Sequence, residues 1–258
     1  RSSDLQAFID FSARVKDGGL LLSKYGLKRG RELKARNHKT YHLQEAAADV
    51  HAADIRVNSG SYTFHVVATE WILTDVALNM GGMHNIENMV AAITVAKHLG
   101  IDDEKIRSAV GSFKGVKRRF EFIVKKDDRV FIDDYAHHPD ELRALITGAK
   151  KMFTGKKCTV IFQPHLFTRT RDFADGFAES LDLADELVLL PIYPARELPI
   201  PGVTSQMILD RMKNTNRQLI EKERLAGWVK ANKTELLITA GAGDIDTLVE
   251  PVKNSLEN

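Results

Sequence analysis

Two carboxylates, a phenol and two imidazoles are packed into Asp133-Asp134-Tyr135-Ala136-His137-His138, with Pro139 next. Carboxylates and imidazoles can move protons near neutral pH and can ligate or repel charge. The apolar run before them, RVFID, reads as a strand. Open α/β sheets place their ligands just past the carboxyl ends of their strands. The same residues also fit a plainer role, a polar turn that closes a strand and caps a helix starting at Pro139. Both readings stand at this point.

Three other strand-like runs lead into comparable segments. CTVIF runs into Gln163-Pro164-His165-Leu166-Phe167-Thr168-Arg169-Thr170-Arg171, ELVLL into Tyr193-Pro194-Ala195-Arg196, and ELLIT into Ala240-Gly241-Ala242-Gly243-Asp244. In a parallel sheet these four segments converge on one edge. Arginine forks suit carboxylate or phosphate oxygens, and a glycine turn entering a helix can open backbone N–H groups to an anion. An anionic ligand is therefore expected. Arg171 and Arg196 also fit solvated surface charges, Gly241 and Gly243 a mere tight turn, and His84 and His138 structural hydrogen bonds. No HExxH or Cys/His zinc spacing occurs, so no metal ligands are assigned.

The elements that must hold these residues follow from periodicity. Strands are expected at FEFIV, RVFID, CTVIF, ELVLL and ELLIT, with helices at 139–151, 169–183, 204–213, 222–231 and 245–256. Short apolar runs alternating with helical patterns imply a mostly parallel sheet covered on both faces. Upstream, DLQAFIDFSARV has helical spacing, GGLLLS reads as a short buried strand, and GLKRGRELKARNHKT as a basic surface helix and loop. ADIRV, SYTFHVVA and WILTDVAL are strand candidates, NSG making the first turn. Asn85 to Leu99 reads as an amphipathic helix with Ile86, Met89, Val90, Ile93 and Leu99 on its buried side, stopped by Gly100. A second helix runs from Asp102 to about Phe113, and KGVKRRF is an exposed basic linker. The fold class is α/β, divided into regions 1–114 and 115–258.

Composition narrows the function. Of 258 residues, 43% are hydrophobic and 28% charged, as in ordinary globular chains. Lys plus Arg number 37 against 35 Asp plus Glu, which gives no support to a nucleic-acid partner. No apolar run approaches a membrane span. The lone Cys158, in CTVIF, reads as a small core residue, and a reducing, cytoplasmic setting is the simplest inference. The sequence starts RSSDLQAF without Met, so an internal start and a longer parent are expected. No GxxxxGK[ST] phosphate loop occurs, so the chain cannot grip ATP phosphates in the usual way.

Taken together, GMHNIENMVAA (82–92), GVKRRFEF (115–122), DDYAHHPDE (133–141), FQPHLFTRTRDF (162–173), YPARELPIPG (193–202) and AGAGDI (240–245) resemble the Mur ligases of bacterial cell-wall synthesis. DDYAHHP with QPHxFTRT points to the member that adds L-alanine to UDP-N-acetylmuramate, and the ligase that reattaches recycled tripeptide to the same sugar nucleotide is the alternative. The resemblance implies the C-terminal part of a central ATP-binding domain over 1–114 and a Rossmann-like C-terminal domain over 115–258. It also implies missing N-terminal domains, use of ATP and Mg2+, and a place in peptidoglycan synthesis, cell shape and cell division.

Residue by residue, the resemblance implies that His84, Asn85 and Asn88 meet the adenine of ATP; Asn85 also fits a helix cap. It implies that Arg119 contacts ATP phosphates and that Asp134 meets the ribose and helps the C-terminal domain close onto ATP. Tyr135, His137, His165 and Arg169 match positions near the alanyl group and its carboxylate, with His137 the candidate to take the amine proton. Leu166 stands where some members carry a second arginine, which shifts the carboxylate's charge partner to Arg169. Gly81 stands where proline is common. Two other readings remain: a stand-alone nucleotide- or anion-binding module, and a metal-dependent hydrolase built on Asp133, Asp134, His137 and His138.

Overall fold

The computed structural model describes residues 2–58 and 60–257. The chain divides into two compact units, Arg1–Lys114 and Gly115–Asn258. In the first, α1 (Ser2–Ser12) precedes β1 (Leu21–Lys24), β2 (His38–His42), β3 (Val50–Asn58), β4 (Ser61–Ala68) and β5 (Ile72–Leu78), then α2 (Met83–His98) and α3 (Asp103–Ser112). The strands form one sheet in the order β1-β2-β3-β4-β5. β1, β2 and β3 run parallel, and β3, β4 and β5 form an antiparallel meander. The strict in–out alternation of SYTFHVVA appears as alternating burial along β4, because one face lies on a core and the other meets water.

Several expectations shift here. The basic stretch 26–40 is not a helix: it holds one 3-10 turn, Gly30–Glu32, and then the strand β2. HKTYH lacks an apolar alternation and was not expected as a strand; its parallel pairing with β1 and β3 overrides the weak local signal. β1 is half-buried rather than buried. The middle residue of the NSG turn, Ser59, lies outside the described residues. Helix α2 starts two residues earlier than its periodicity predicts, and Leu99 is 69% exposed because it follows the last helical turn. Ile86, Val90 and Ile93 are buried as expected.

The second unit begins with β6 (Glu121–Lys125) and β7 (Val130–Asp134) and continues with α4 (Pro139–Met152), β8 (Cys158–Phe162), α5 (Phe167–Asp172) and α6 (Ala174–Leu181). It ends with β9 (Glu186–Leu189), α7 (Gln206–Leu209), β10 (Arg217–Leu219), α8 (Lys222–Ala231), β11 (Leu236–Ala240) and α9 (Val249–Glu257). The sheet order is β10-β9-β8-β11-β7-β6. All neighbours are parallel except the edge pair β6 and β7. The long helix expected over 169–183 is broken at Phe173, and the one over 204–213 shrinks to a single turn. β10, three residues long, gave no readable period.

The central strands β7, β8, β9 and β11 are buried along their whole length, which explains their unbroken apolar runs. Phe131, Ile161, Val188 and Leu237 form one core with Leu225, Val229, Val252 and Leu256 of α8 and α9. On β8, Phe162 meets Phe177 of α6 with ring centroids 5.4 Å apart. Both phenylalanines are fully buried, so Phe162→Ala is expected to cost about 3–5 kcal/mol. Chemical denaturation is the measurement, and a loss near zero would show that the core does not rest on this contact.

Candidate active site at the carboxyl edge of the second sheet

β11 lies between β7 and β8, so the ends of these three strands stand side by side: Ala240 pairs with Asp134 on one flank and with Phe162 on the other. β9 ends beside β8, and the segments beyond them are joined by a parallel bridge between His165 and Tyr193. The convergence expected from the sequence is therefore present within this unit.

The two aspartates divide the work. Asp133 is 1% exposed. It accepts the Thr239 hydroxyl at 2.6 Å and the Arg118 guanidinium at 3.2 Å. Burial nevertheless pushes its carboxyl above the ordinary range, against Thr239 and Arg118. Arg118 also donates to the Gly241 carbonyl at 2.6 Å and approaches Asp246 at 3.6 Å. Asp134, 8% exposed, accepts the backbone N–H of Phe120 and of Ala136, both at 2.7 Å. Tyr135 N–H in turn donates to the Arg118 carbonyl at 2.8 Å. Together these bonds fasten the residues before β6 to the end of β7. Both Arg118 and Phe120 hold left-handed backbones, φ 59° and 50°, which L-residues adopt at a cost of about 1–2 kcal/mol each. The stretch 114–120 is thus more than an exposed basic linker: Arg119 is exposed, but Arg118 beside it is an interior partner.

Beyond the strand ends the rings form a chain. Arg118 and Arg119 lie over Tyr135, 5.2 and 5.5 Å from its centroid. Tyr135 meets His137 edge-on at 5.2 Å, His137 meets His165 at 6.4 Å, and His165 stacks on Tyr193 at 5.7 Å and 19°. His137 Nδ1 lies 2.9 Å from the Tyr135 carbonyl; as donor there, it leaves Nε2 as the basic nitrogen of the neutral ring. Arg169 approaches His165 Nδ1 at 3.3 Å. A guanidinium only donates, so this contact is a hydrogen bond only where Nδ1 accepts, and it favours the neutral ring. Burial, Arg169 and His137 all lower its pKa, while Glu197 raises it.

His138 turns away. It caps α4 in a capping box with Glu141, and its ring lies against Phe173 at 4.7 Å. The plainer reading of the DDYAHHP segment, a polar turn that caps a helix, is therefore also correct, and His138 is the residue that carries it. The glycine turn does not form an open anion cradle. Gln163 Oε1 accepts Ile245 N–H, and a Cβ on Gly243 would stand 2.5 Å from Gln163 Oε1 and 2.6 Å from Tyr193 Cβ. Asp244, held by Lys222 and Gln163, adds negative charge there. Gly243 thus permits close packing, and Arg171 and Arg196 are exposed as surface charges.

In the first unit His84 and Asn88 stand exposed on one side of α2, a turn apart, and Asn85 is half-buried. Asn85 is not the cap: the N-cap is Gly82, and the Asn85 amide donates to the Gly81 carbonyl at 2.6 Å. Gly82 has φ 87°, and a Cβ there would meet the His84 ring at 2.6 Å. Glu87, between Asn85 and Asn88, binds Lys24 at 2.9 Å and the Leu43 N–H at 3.2 Å, fixing α2 to the ends of β1 and β2.

Sequence reasoning missed Arg118, Glu197 and the Lys222–Asp244 pair. Only Arg118 had a signal: an aspartate inside a buried strand demands a cation or donor, and the nearest basic run offers two arginines. Among the described residues, no three His, Cys, Asp or Glu side chains gather to hold a metal ion. No described helix is long and apolar enough to cross a membrane.

The two halves match two domains of one family. Residues 7–96 match the Mur ligase middle domain and 118–245 the Mur ligase glutamate ligase domain. The chain belongs to the Mur ligase family. It is 46% identical over 252 residues to the UDP-N-acetylmuramate–L-alanine ligase of Parabacteroides distasonis, covering 97% of this chain and 54% of that protein. It is 41% identical over 257 residues to the protein of the same name from Flavobacterium johnsoniae, covering 99% and 55%. The chain spans about half the length of the curated relatives it matches. The crystal structure of UDP-N-acetylmuramate-alanine ligase from Thermotoga maritima superposes with a TM-score of 0.76 at 26% identity, over 92% of this chain and 51% of that one. Folylpolyglutamate synthase from the same organism, at 17% identity and a TM-score of 0.71 over 100% and 59% of the two chains, shares the fold alone.

Two outcomes are expected. Asp134→Ala strips two buried N–H groups of their acceptor and should destabilise the fold by about 1–3 kcal/mol per group; denaturation at matched pH measures it. In an NMR titration His165 should turn over below the ordinary histidine range, and Arg169→Ala should raise its midpoint by removing a neighbouring positive charge. An unmoved midpoint would refute the pairing.

Proposed function

We propose that the full protein containing this chain joins L-alanine to UDP-N-acetylmuramate, with ATP activating the sugar's carboxylate as an acyl phosphate. The observation that carries this reading is the grouping of Arg169, His165, His137 and Tyr135 at one sheet edge, in a chain 46% identical to a relative of that name. In this reading His84, Asn85 and Asn88 serve the adenine of ATP, Arg119 its phosphate oxygens, and Asp134 its ribose. Asp134 also serves indirectly, by holding the backbone from which Arg119 projects.

The chemistry follows from these side chains. The γ-phosphoryl group passes to the carboxylate, the alanine amine attacks the acyl carbon, and the tetrahedral intermediate collapses with loss of phosphate. An ammonium cannot attack, so a base must take a proton. His137, with Nδ1 committed to the Tyr135 carbonyl, presents Nε2 for that task. Arg169, whose guanidinium is always charged and fork-shaped, suits the alanine carboxylate, and His165 orients it. Magnesium would be held chiefly by the ATP phosphate oxygens and offset their charge; among the described residues no three His, Cys, Asp or Glu side chains gather to hold it. The setting is inferred to be cytoplasmic, where the nucleotide substrates occur.

In the full-length protein, phosphate release should require ATP, UDP-N-acetylmuramate and L-alanine together. Arg169→Ala should raise the alanine KM by about tenfold to a hundredfold, from loss of a charge-assisted pair worth roughly 1.5–3 kcal/mol. Product mass identifies the acceptor; ligation of tripeptide but not alanine would move the assignment to the recycling ligase. The 258-residue chain alone, which lacks a phosphate loop, should release none, and measurable release would overturn that expectation.

A further inference from the structure

We propose that Glu197 is a positioning residue for the acceptor amino acid, acting through Thr168 to aim Arg169 and His165. This rests on the ligase reading above and extends it to a residue that touches no substrate.

The geometry is specific. The loop after β9 runs beside the loop after β8: Leu166 N–H donates to the Tyr193 carbonyl at 3.0 Å, and Tyr193 N–H to the Pro164 carbonyl at 2.8 Å. Leu166, the N-cap of α5, has φ 72° and gives no side-chain cap. α5 is only six residues long, too short to hold its own orientation. Its missing cap comes from the other loop. Thr168 donates its N–H to Glu197 at 2.9 Å and its hydroxyl at 2.5 Å. Arg169 follows directly and meets His165 at 3.3 Å.

Ala195, two residues before Glu197, has a left-handed φ of 51°, and Glu197 N–H closes a turn on the Pro194 carbonyl at 2.9 Å. The turn brings Glu197 inward, while Arg196 and Leu198 on either side are exposed. The carboxylate is thus the part of this segment that reaches α5. The hydrogen bonds from Thr168 also favour its charged form. A displacement of α5 would move the Arg169 fork off a bound carboxylate and spare the groups assigned to the nucleotide.

The test is steady-state kinetics on the full-length protein with Glu197→Ala and Glu197→Gln. The alanine variant should raise the KM for the acceptor amino acid by about tenfold or more, since small misplacements of a positioning group are costly, with the KM for ATP and for the sugar nucleotide unchanged. The glutamine variant still accepts the Thr168 N–H and should restore the acceptor KM to near the wild-type value. An unchanged acceptor KM in Glu197→Ala, or an equal rise in all three KM values, would overturn the proposal. Imidazole 15N spectra of the same variants read the geometry without turnover. Read at a pH high enough that the ring is neutral in all three proteins, so that the lost Glu197 charge does not alter its protonation, the His165 Nδ1 resonance should shift in Glu197→Ala and keep its position in Glu197→Gln. An unmoved resonance in Glu197→Ala would overturn the proposal even if the wild-type protein ligated no alanine.

Discussion

A carboxylate buried at the end of a strand must find partners or lose its charge, and much of the second unit's edge is arranged around that constraint at Asp133. Thr239 and Arg118 supply the partners, and each ties in another element. Thr239 sits opposite Asp133 on the neighbouring strand β11. Arg118 carries the chain before β6 over the strand ends and reaches the Gly241 carbonyl. Replacing one partner would leave an uncompensated polar group in the interior, where such groups are costly. The arrangement therefore fixes where Arg119 and Tyr135 emerge, even though neither of them touches Asp133.

From that anchor the edge is built outward in layers of decreasing burial. The acids are interior, the rings of Tyr135, His137, His165 and Tyr193 are half-exposed, and Arg119 projects into solvent. Charge follows the same gradient. Arg118 and Arg119 lie over the Tyr135 ring, and His165 beside Arg169 has its pKa lowered by burial and by that arginine. An anion arriving at this edge meets guanidinium groups whose charge does not depend on pH.

The elements that could be read from the sequence were those whose local chemistry agreed with the fold. β8 and α8 fall where their apolar periods put them, and the four strand ends converge because parallel pairing leaves them no alternative. Where pairing rather than period decides, the reading failed: HKTYH is a strand only because β1 and β3 flank it, and RQL only because β9 does. The site was legible to the same extent. Asp134 ends β7, Tyr135 and His137 follow it, and His165 and Arg169 lie within seven residues of the end of β8, so sequence adjacency located them. Glu197 reaches α5 from a different loop, and Arg118 reaches Asp133 by folding back through a left-handed turn. The Glu197 relation leaves no trace in the sequence, and the Arg118 relation shows only in the need of a buried-strand aspartate for a partner.

Cys158 gives the chain one further property. Its thiol is fully buried at the start of β8, and burial pushes its pKa up to about 12. Nucleophilic attack by sulfur requires the thiolate, so burial and the raised pKa together hold this sulfur's reactivity toward alkylating and oxidising reagents down while the sheet is intact. It is also the chain's one cysteine. A cysteine introduced on any exposed loop of the folded chain would then be its single reactive thiol, with no native residue to remove first.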